Sequence, residues 1–349
     1  MAGGAIGIHT LSAGDASRWD AFVRATPQAT FFHLSAWQRI LAEEFGHRTH
    51  YLYAERDGEI VAVLPLAEVK SLLFGHALVS LPFCVYGGIA AADDAGAGVL
   101  AALETEADAR ARRLGVRHLE FRNLAPRHPD WPHQDIYVTF RKTIAPDDET
   151  NLLAIPRKQR AMVRKGIANG LVAHVDDDLE RFFALYADNV RHHGTPALPK
   201  RFFARLRQEF AGDCEVLTVT DHAGRALSSV LTFFFRDEAL AYYAGDVPRA
   251  RALAANDFKY WELMRRARAR GCKVFDYGRS KIGTGPWHFK QHWGFEPQPL
   301  AYEYRLYKRG GVPQNNPLNP KYRLFIAAWK RLPLAVANAI GPFIVRNLG

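Results

Sequence analysis

The chain repeats itself, and that repetition limits its possible folds more than any single motif. "ADARARRLGVRHLEFRN" (107–123) resembles "LMRRARARGCKVFDYGR" (263–279), an offset near 156 residues. Upstream, "WQRILAEEFG" (37–46) resembles "RFFARLRQEFAG" (201–212), and "YLYAERDGEIVAVLPL" (51–66) resembles "EVLTVTDHAGRALSSVLTF" (215–233), at about 165. "FCVYGG" (83–88) resembles "LAYYAG" (240–245). A supersecondary unit is therefore present twice. Each copy reads as helix, helix, β-meander, helix, strand. Asp57-Gly58 and Ala223-Gly224 supply the meander turns. Gly115 and Gly271 end the crossing helices, just ahead of the strands "VRHLEF" and "KVFDYG". Three antiparallel strands, a crossing helix and a fourth strand make an α/β layer structure.

A length of 349 residues suits two such domains. The expected division is 1–145, 146–309 and a basic, apolar tail at 310–349. Cys84, Cys214 and Cys272 are too dispersed for a disulfide framework or a zinc pattern, which fits a reducing cytoplasm. Fourteen histidines include His192-His193 but no HExxH, so no metal is expected. The start "MAGGAIGIHTL" has no basic region and no long apolar core, so no signal peptide is expected. The net charge of +10 is uneven. Residues 1–150 carry −5, 151–309 carry +10 and 310–349 carry +5, so affinity for anions belongs to the second half.

The densest chemistry lies in "FDYGRSKIGTGPWHFKQHWGF" (275–295). Arg279 and Lys281 flank a bend at Gly283 and Gly285, where glycine admits close backbone approach and the cations favour a phosphate. Phe289 and Trp293 stand at i and i+4 and either stack on a base or ring or belong to the core. Asp276 is either a general base or a structural partner of Arg279. Spacing alone leaves Lys290 open between a solvated lysine and a catalytic charge. A second basic segment, "IPRKQRAMVRKGIANG" (155–170), opens at Pro156. It places Arg157, Arg160 and Arg164 on one helical stripe, with Lys158 and Lys165 beside it. This is either a solvated face or a patch for a pyrophosphate or an RNA backbone. Asn256 and Asp257 are expected to cap the helix that follows them. Tyr86-Gly87-Gly88 and Tyr242-Tyr243 are expected at the ends of the central strands, lining a cleft or buried.

Twin units of this order, with "FDYG", a glycine-bearing loop and then "FKQHWG", resemble the FemAB family of acyl- and aminoacyltransferases. "HLSAWQRILAEEFGHRTHYLYAERDG", "GTPALPKRFF" and "NPLNPKYRLFIAAWKRLP" look closest to the FemAB-like proteins that accompany exosortase (PEP-CTERM) and exopolysaccharide systems. The resemblance implies two tandem GNAT-like domains of layered α/β (α+β) type, each a mostly antiparallel sheet flanked by helices. It implies transfer of an aminoacyl or acyl group onto an amine or hydroxyl of a peptidoglycan or exopolysaccharide precursor. That precursor would be a nucleotide- or lipid-linked sugar. It implies that Lys290 sits against a phosphate or the oxyanion of the donor; the residues themselves then offer Asp276 beside the reaction and Arg279, Lys281, Gly283, Gly285, Phe289 and Trp293 around the donor. Arg157, Lys158, Arg160, Arg164 and Tyr243 would serve the acceptor and its phosphates. No tightly bound cofactor is implied; the co-substrate is an aminoacyl-tRNA or an acyl-CoA. The stretch "AGDVPRARALAANDF" (244–258) has one glycine, where a CoA-using GNAT has a glycine-rich pyrophosphate cradle.

Two other readings compete: an acyl-CoA-dependent N-acetyltransferase, and a non-catalytic glycan- or lipid-binding protein on the same fold. An RNA-binding module is a third, without a nucleic-acid motif to support it, and no DNA partner is expected. The tail segment 321–349 joins an apolar run to cations without acids, so a peripheral contact with an anionic membrane is expected of an otherwise cytoplasmic protein.

Overall fold

Strand-forming alternation surrounds a helix pair at the start of the chain. β1 (Ile6–Thr10) is followed by α1 (Ala16–Ala25), α2 (Ala36–Phe45), β2 (Arg48–Thr49), β3 (Leu52–Arg56) and β4 (Glu59–Leu64). Asp57 and Gly58, at φ 53° and 84°, make the tight turn that matches the twist of β3 and β4. Next come β5 (Ala67–Ser71), β6 (Gly75–Val79), β7 (Ala90–Ala91), α3 (Ala97–Leu114), β8 (His118–Asn123) and β9 (His133–Gln134). Helix α3 ends at Gly115 in the left-handed region, as its spacing predicts. The computed structural model describes residues 5–71, 75–308, 311–312 and 323–347.

The second copy begins with β10 (Tyr137–Thr143), α4 (Asp148–Leu153), α5 (Arg157–Ala168) and β11 (Val172–Asp176). It continues through α6 (Glu180–His193), α7 (Lys200–Glu209), β12 (Cys214–Thr220), β13 (Ala226–Phe235) and β14 (Glu238–Asp246). Then follow α8 (Ala250–Leu253), α9 (Ala255–Ala269), β15 (Val274–Asp276), β16 (Ser280–Lys281), α10 (Gly285–His292) and β17 (Pro297–Pro299). The chain finishes with β18 (Ala301–Leu306), α11 (Arg323–Trp329) and α12 (Leu334–Val345).

These elements form two units. In the first, one sheet runs β1-β3-β4-β7 and another runs β2-β5-β6-β8-β18-β9. In the second, a single sheet runs β11-β12-β13-β14-β15-β10-β16, with β17 on β10. The layered, mostly antiparallel α/β architecture expected from the repeat is the one observed. Each unit contains one parallel pair joined by a crossing helix, β6 with β8 and β14 with β15.

Three expectations are corrected. Tyr137–Thr143 falls before the expected boundary at 145, but pairs with β15, β16 and β17 in the second unit. Ala301–Leu306 falls before the boundary at 309, but pairs with β8 in the first. "FCVYGG" is a loop, because Leu81 and Phe83 take left-handed backbone (φ 66° and 68°) that ends the extended chain. The strand beside β8 is β6 instead. Third, Asn256 and Asp257 do not cap α9; the helix starts at Ala255 behind a left-handed Ala254 with no side-chain cap.

Glu303 ties β18 into the first unit. Its carboxylate is 2% exposed and accepts from Asn123 Nδ2 (2.6 Å) and the N–H groups of Arg127 (2.8 Å) and His128 (2.7 Å). Glu303→Ala would strand three donors and cost about 3–5 kcal/mol by urea denaturation, while Glu303→Gln, which keeps an acceptor, would cost clearly less.

Candidate functional site

In the second unit the parallel pair opens. Only Glu238–Leu240 of β14 meet Val274–Asp276 of β15. Beyond them β14 stays on β13, with a register shift opposite Tyr242 that bends the strand. The other side turns at Gly278 (φ 66°) and joins β10 through Ser280 and Lys281.

Lys290 of α10 holds that turn. Its ammonium donates to the carbonyls of Tyr277 (2.7 Å), Gly278 (2.9 Å) and Arg279 (3.3 Å). Burial pushes its pKa down to about 7, with Asp276 opposing and Arg279 assisting. Three carbonyls absorb all three N–H donors. The expected role of Lys290, charge presented to the donor, is therefore corrected: it builds the loop that presents other cations. Asp276 is likewise inside the fold, 1% exposed. It accepts the Gly278 N–H at 2.6 Å and lies 3.9 Å from Arg141 Nε, where a structural carboxylate fits better than a general base.

Arg279 and Lys281 remain on the outer side of the turn, half-buried. Both sit over the Tyr137 ring, Arg279 at 4.5 Å and Lys281 at 5.5 Å from its centroid. One aromatic ring thus holds two like charges near it. Burial, then Arg279, lowers the Lys281 pKa to about 8. Gly283 (φ 78°) and Gly285 are exposed beyond them, and α10 starts there.

The two aromatics of α10 differ. Phe289 is half-buried against Tyr260 (5.7 Å) and Tyr277 (6.4 Å). Trp293 is fully buried, and its indole N–H donates to Asp257 Oδ1 at 2.9 Å, so the expected stacking on a ligand is corrected to a core role. Tyr243 joins an aromatic cluster with Phe203 (5.1 Å) and Tyr242 (4.8 Å), half-buried on the α6–α7 side of β14.

The start of α9 is where a CoA pyrophosphate would dock. Here it is closed. Asp257, in the first turn, accepts from Gln159 (2.9 Å) and Trp293, and burial raises its pKa. Gly166 of α5 lies so close that a Cβ there would stand 2.7 Å from Phe258 Cβ. A carboxylate and a packed helix do not fit a pyrophosphate in this turn. Helix α5 turns outward Arg157, Lys158, Arg164 and Lys165, with Arg160 half-buried, and none has an ion-pair partner among the described residues. The patch is thus a real cationic surface rather than a salt-bridged one.

Sequence reasoning missed Lys259. It is fully buried, donates to Asp246 Oδ1 at 3.0 Å, and burial lowers its pKa against the pull of Asp246. The available signal was a lysine amid the apolar positions Phe258 and Trp261. It also missed a cavity of about 250 Å³ in the first unit, beyond the β6–β8 pair, lined by His33, Tyr86, Gly88, Arg122, Asn123 and Arg127. Thr30 N–H donates to His33 Nδ1 (3.1 Å), so the proton is on Nε2, facing the Gly88 carbonyl at 2.9 Å. Arg122 is spent on Glu120 and on the Leu81 and Cys84 carbonyls. Arg127 Nε is buried without an acceptor among the described residues. Tyr86, Gly87 and Gly88 line this cavity from a loop, not from the end of a splayed strand pair as expected. Among the described residues no cluster suits a metal ion and no helix is long and apolar enough to cross a membrane.

Residues 154–291 match the acetyltransferase (GNAT) domain family. No curated protein matches the sequence. Among solved structures, the chain is similar to FemX at 16% identity and a TM-score of 0.66, covering 92% of this chain and 100% of that one. A tandem GNAT protein from the clavulanic acid biosynthesis pathway is 13% identical, with a TM-score of 0.56 over 88% and 100% of the two chains. L-PGS from Bacillus licheniformis is 11% identical, with a TM-score of 0.53 over 91% and 98%. At these identities the likeness is one of fold: a FemAB-like GNAT architecture.

Lys290→Met would leave three carbonyls facing an apolar side chain. A loss of about 3–5 kcal/mol in denaturant unfolding is expected. A change below 1 kcal/mol would put the ammonium elsewhere.

Proposed function

We propose that the protein is an acyltransferase that moves an aminoacyl or acyl group from a phosphate-bearing activated donor onto an amine or hydroxyl of an envelope or exopolysaccharide precursor. The observation that carries this reading is the Arg279–Lys281 pair, clamped over Tyr137 at the mouth of the opened parallel pair. The acceptor nitrogen or oxygen attacks the acyl carbon, its bond to the donor breaks, and the acceptor proton leaves with the departing group. Negative charge builds on the acyl oxygen and on that group. Pre-positioned cations favour it without reorganisation at the moment of reaction. Arg279 and Lys281 supply that charge, Lys290 and Asp276 shape the turn that carries them, and Gly283 and Gly285 let the donor backbone approach. The α5 cations Arg157, Lys158, Arg160 and Arg164 attract the remaining phosphates of donor or acceptor. A nucleotide- or lipid-linked sugar supplies such phosphates.

A second reading is acyl-CoA as donor, favoured by the acetyltransferase family match. The closed start of α9 counts against its usual seat, and its pyrophosphate would have to use the Arg279–Lys281 turn.

The deciding experiment offers the protein labelled aminoacyl-tRNA and, separately, labelled acetyl-CoA, and follows label into a nucleotide-linked sugar. Transfer from neither donor, with tight sugar binding intact, would overturn the enzyme reading and favour a glycan-binding protein. Arg279→Met and Lys281→Met are each expected to weaken the productive donor about tenfold, a loss near 1.4 kcal/mol. The pH dependence follows from Lys281. Its charge is present below about 8 and lost above it, so affinity for a phosphodiester of fixed charge should fall as pH rises from 7 to 9. Lys281→Arg should lessen that fall in a binding titration, the remainder following Lys290, whose pKa of about 7 lies at the lower edge of the same range.

A further inference from the structure

Five of the twelve large apolar side chains exposed among the described residues fall within α11 and α12: Leu324 (86%), Phe343 (66%), Val336, Phe325 and Ile340. On α12 the outward residues Val336, Ala339, Ile340 and Phe343 recur at i, i+3, i+4 and i+7, a continuous apolar stripe. The two helices are nevertheless anchored. Trp329, Ala337, Gly341 and Val345 are buried on the opposite sides. Arg191 of α6 donates to the carbonyls of Lys330 (3.0 Å) and Leu332 (3.3 Å), fixing the turn between them. Gly194 faces Ile326 of α11, and Ala197 faces Gly341 of α12, so both helices rest on the segment after α6. The apolar stripe is therefore held outward by the fold, not left over from loose packing.

Its charges identify the partner. Arg323, Lys330 and Arg331 are exposed, and residues 323–345 contain no Asp or Glu. Two copies meeting through this face would oppose like charges. An anionic bilayer would instead accept both the apolar stripe and the cations around it. With twelve residues, α12 spans about 18 Å, well short of the roughly 30 Å hydrocarbon core, so it lies in the interface.

We infer that α11 and α12 form a docking surface for an anionic lipid bilayer. The surface holds whichever acyl group the protein transfers, and its test uses no donor. Full-length protein is mixed with phosphatidylcholine vesicles, with and without phosphatidylglycerol, and sedimented at low salt. Binding is expected only with the anionic lipid. The pair Lys330→Gln/Arg331→Gln should weaken it about 25-fold, near fivefold per cation. The pair Leu324→Glu/Phe343→Glu should abolish it, with a cooperative melting transition as the check that the variant is folded. Three results overturn the inference: wild-type protein left in the supernatant with anionic vesicles, undiminished binding by L324E/F343E, or a lipid-free dimer that this pair dissolves.

Discussion

The ammonium of Lys290 facing three backbone carbonyls is the interaction on which the second unit's site depends. An extended chain leaving β15 would continue alongside β14 and keep the sheet closed. Instead, Tyr277, Gly278 and Arg279 turn their carbonyls inward to a single buried cation, and the chain parts from β14 while staying on β10, which it already pairs through β15. Asp276 supports the same turn from the other side, through the Gly278 N–H. A buried charge is costly unless its donors are satisfied, and here they are. The diverted strand leaves the opening beside β14 and fixes where Arg279 and Lys281 emerge over Tyr137.

The duplication made much of the fold readable. Helix α3 with β8, and α9 with β15, carry matching residue patterns, and the glycines at 115 and 271 end both helices with positive φ. The opening between β14 and β15 was less readable, because strand residues look alike whether or not they are paired. "FCVYGG" has the apolar content of a strand, yet Leu81 and Phe83 are left-handed, which composition does not disclose. In "FKQHWG" the spacing puts Phe289 and Trp293 on one helical face. It does not say that the face turns inward, nor that Asp257, thirty-six positions earlier, receives the indole N–H. The sequence-derived cations divide in the same way. Arg279 and Lys281 are half-buried over the Tyr137 ring, while the Lys290 ammonium is turned to the backbone.

The two units use their parallel pairs differently. In the first, the groups around the cavity are mostly satisfied by one another: His33 by Thr30 and Gly88, Arg122 by Glu120 and two carbonyls, Asn123 by Glu303. In the second, the cations of α5 lack ion-pair partners among the described residues, and those of the turn lie over the Tyr137 ring.

The order in which the ribosome makes these strands has a consequence of its own. Residues 136–299 are continuous within one unit, whereas the other needs β18, made about 180 residues after its neighbour β8. At 5–20 residues per second, β8 waits roughly 10–40 s with an unpaired edge. Through that interval Asn123 and the N–H groups of Arg127 and His128 lack the carboxylate that later joins them. The sheet translated first is thus completed only after every strand of the other unit has been made, and a nascent chain stalled before residue 303 would expose an open sheet edge to proteases and chaperones.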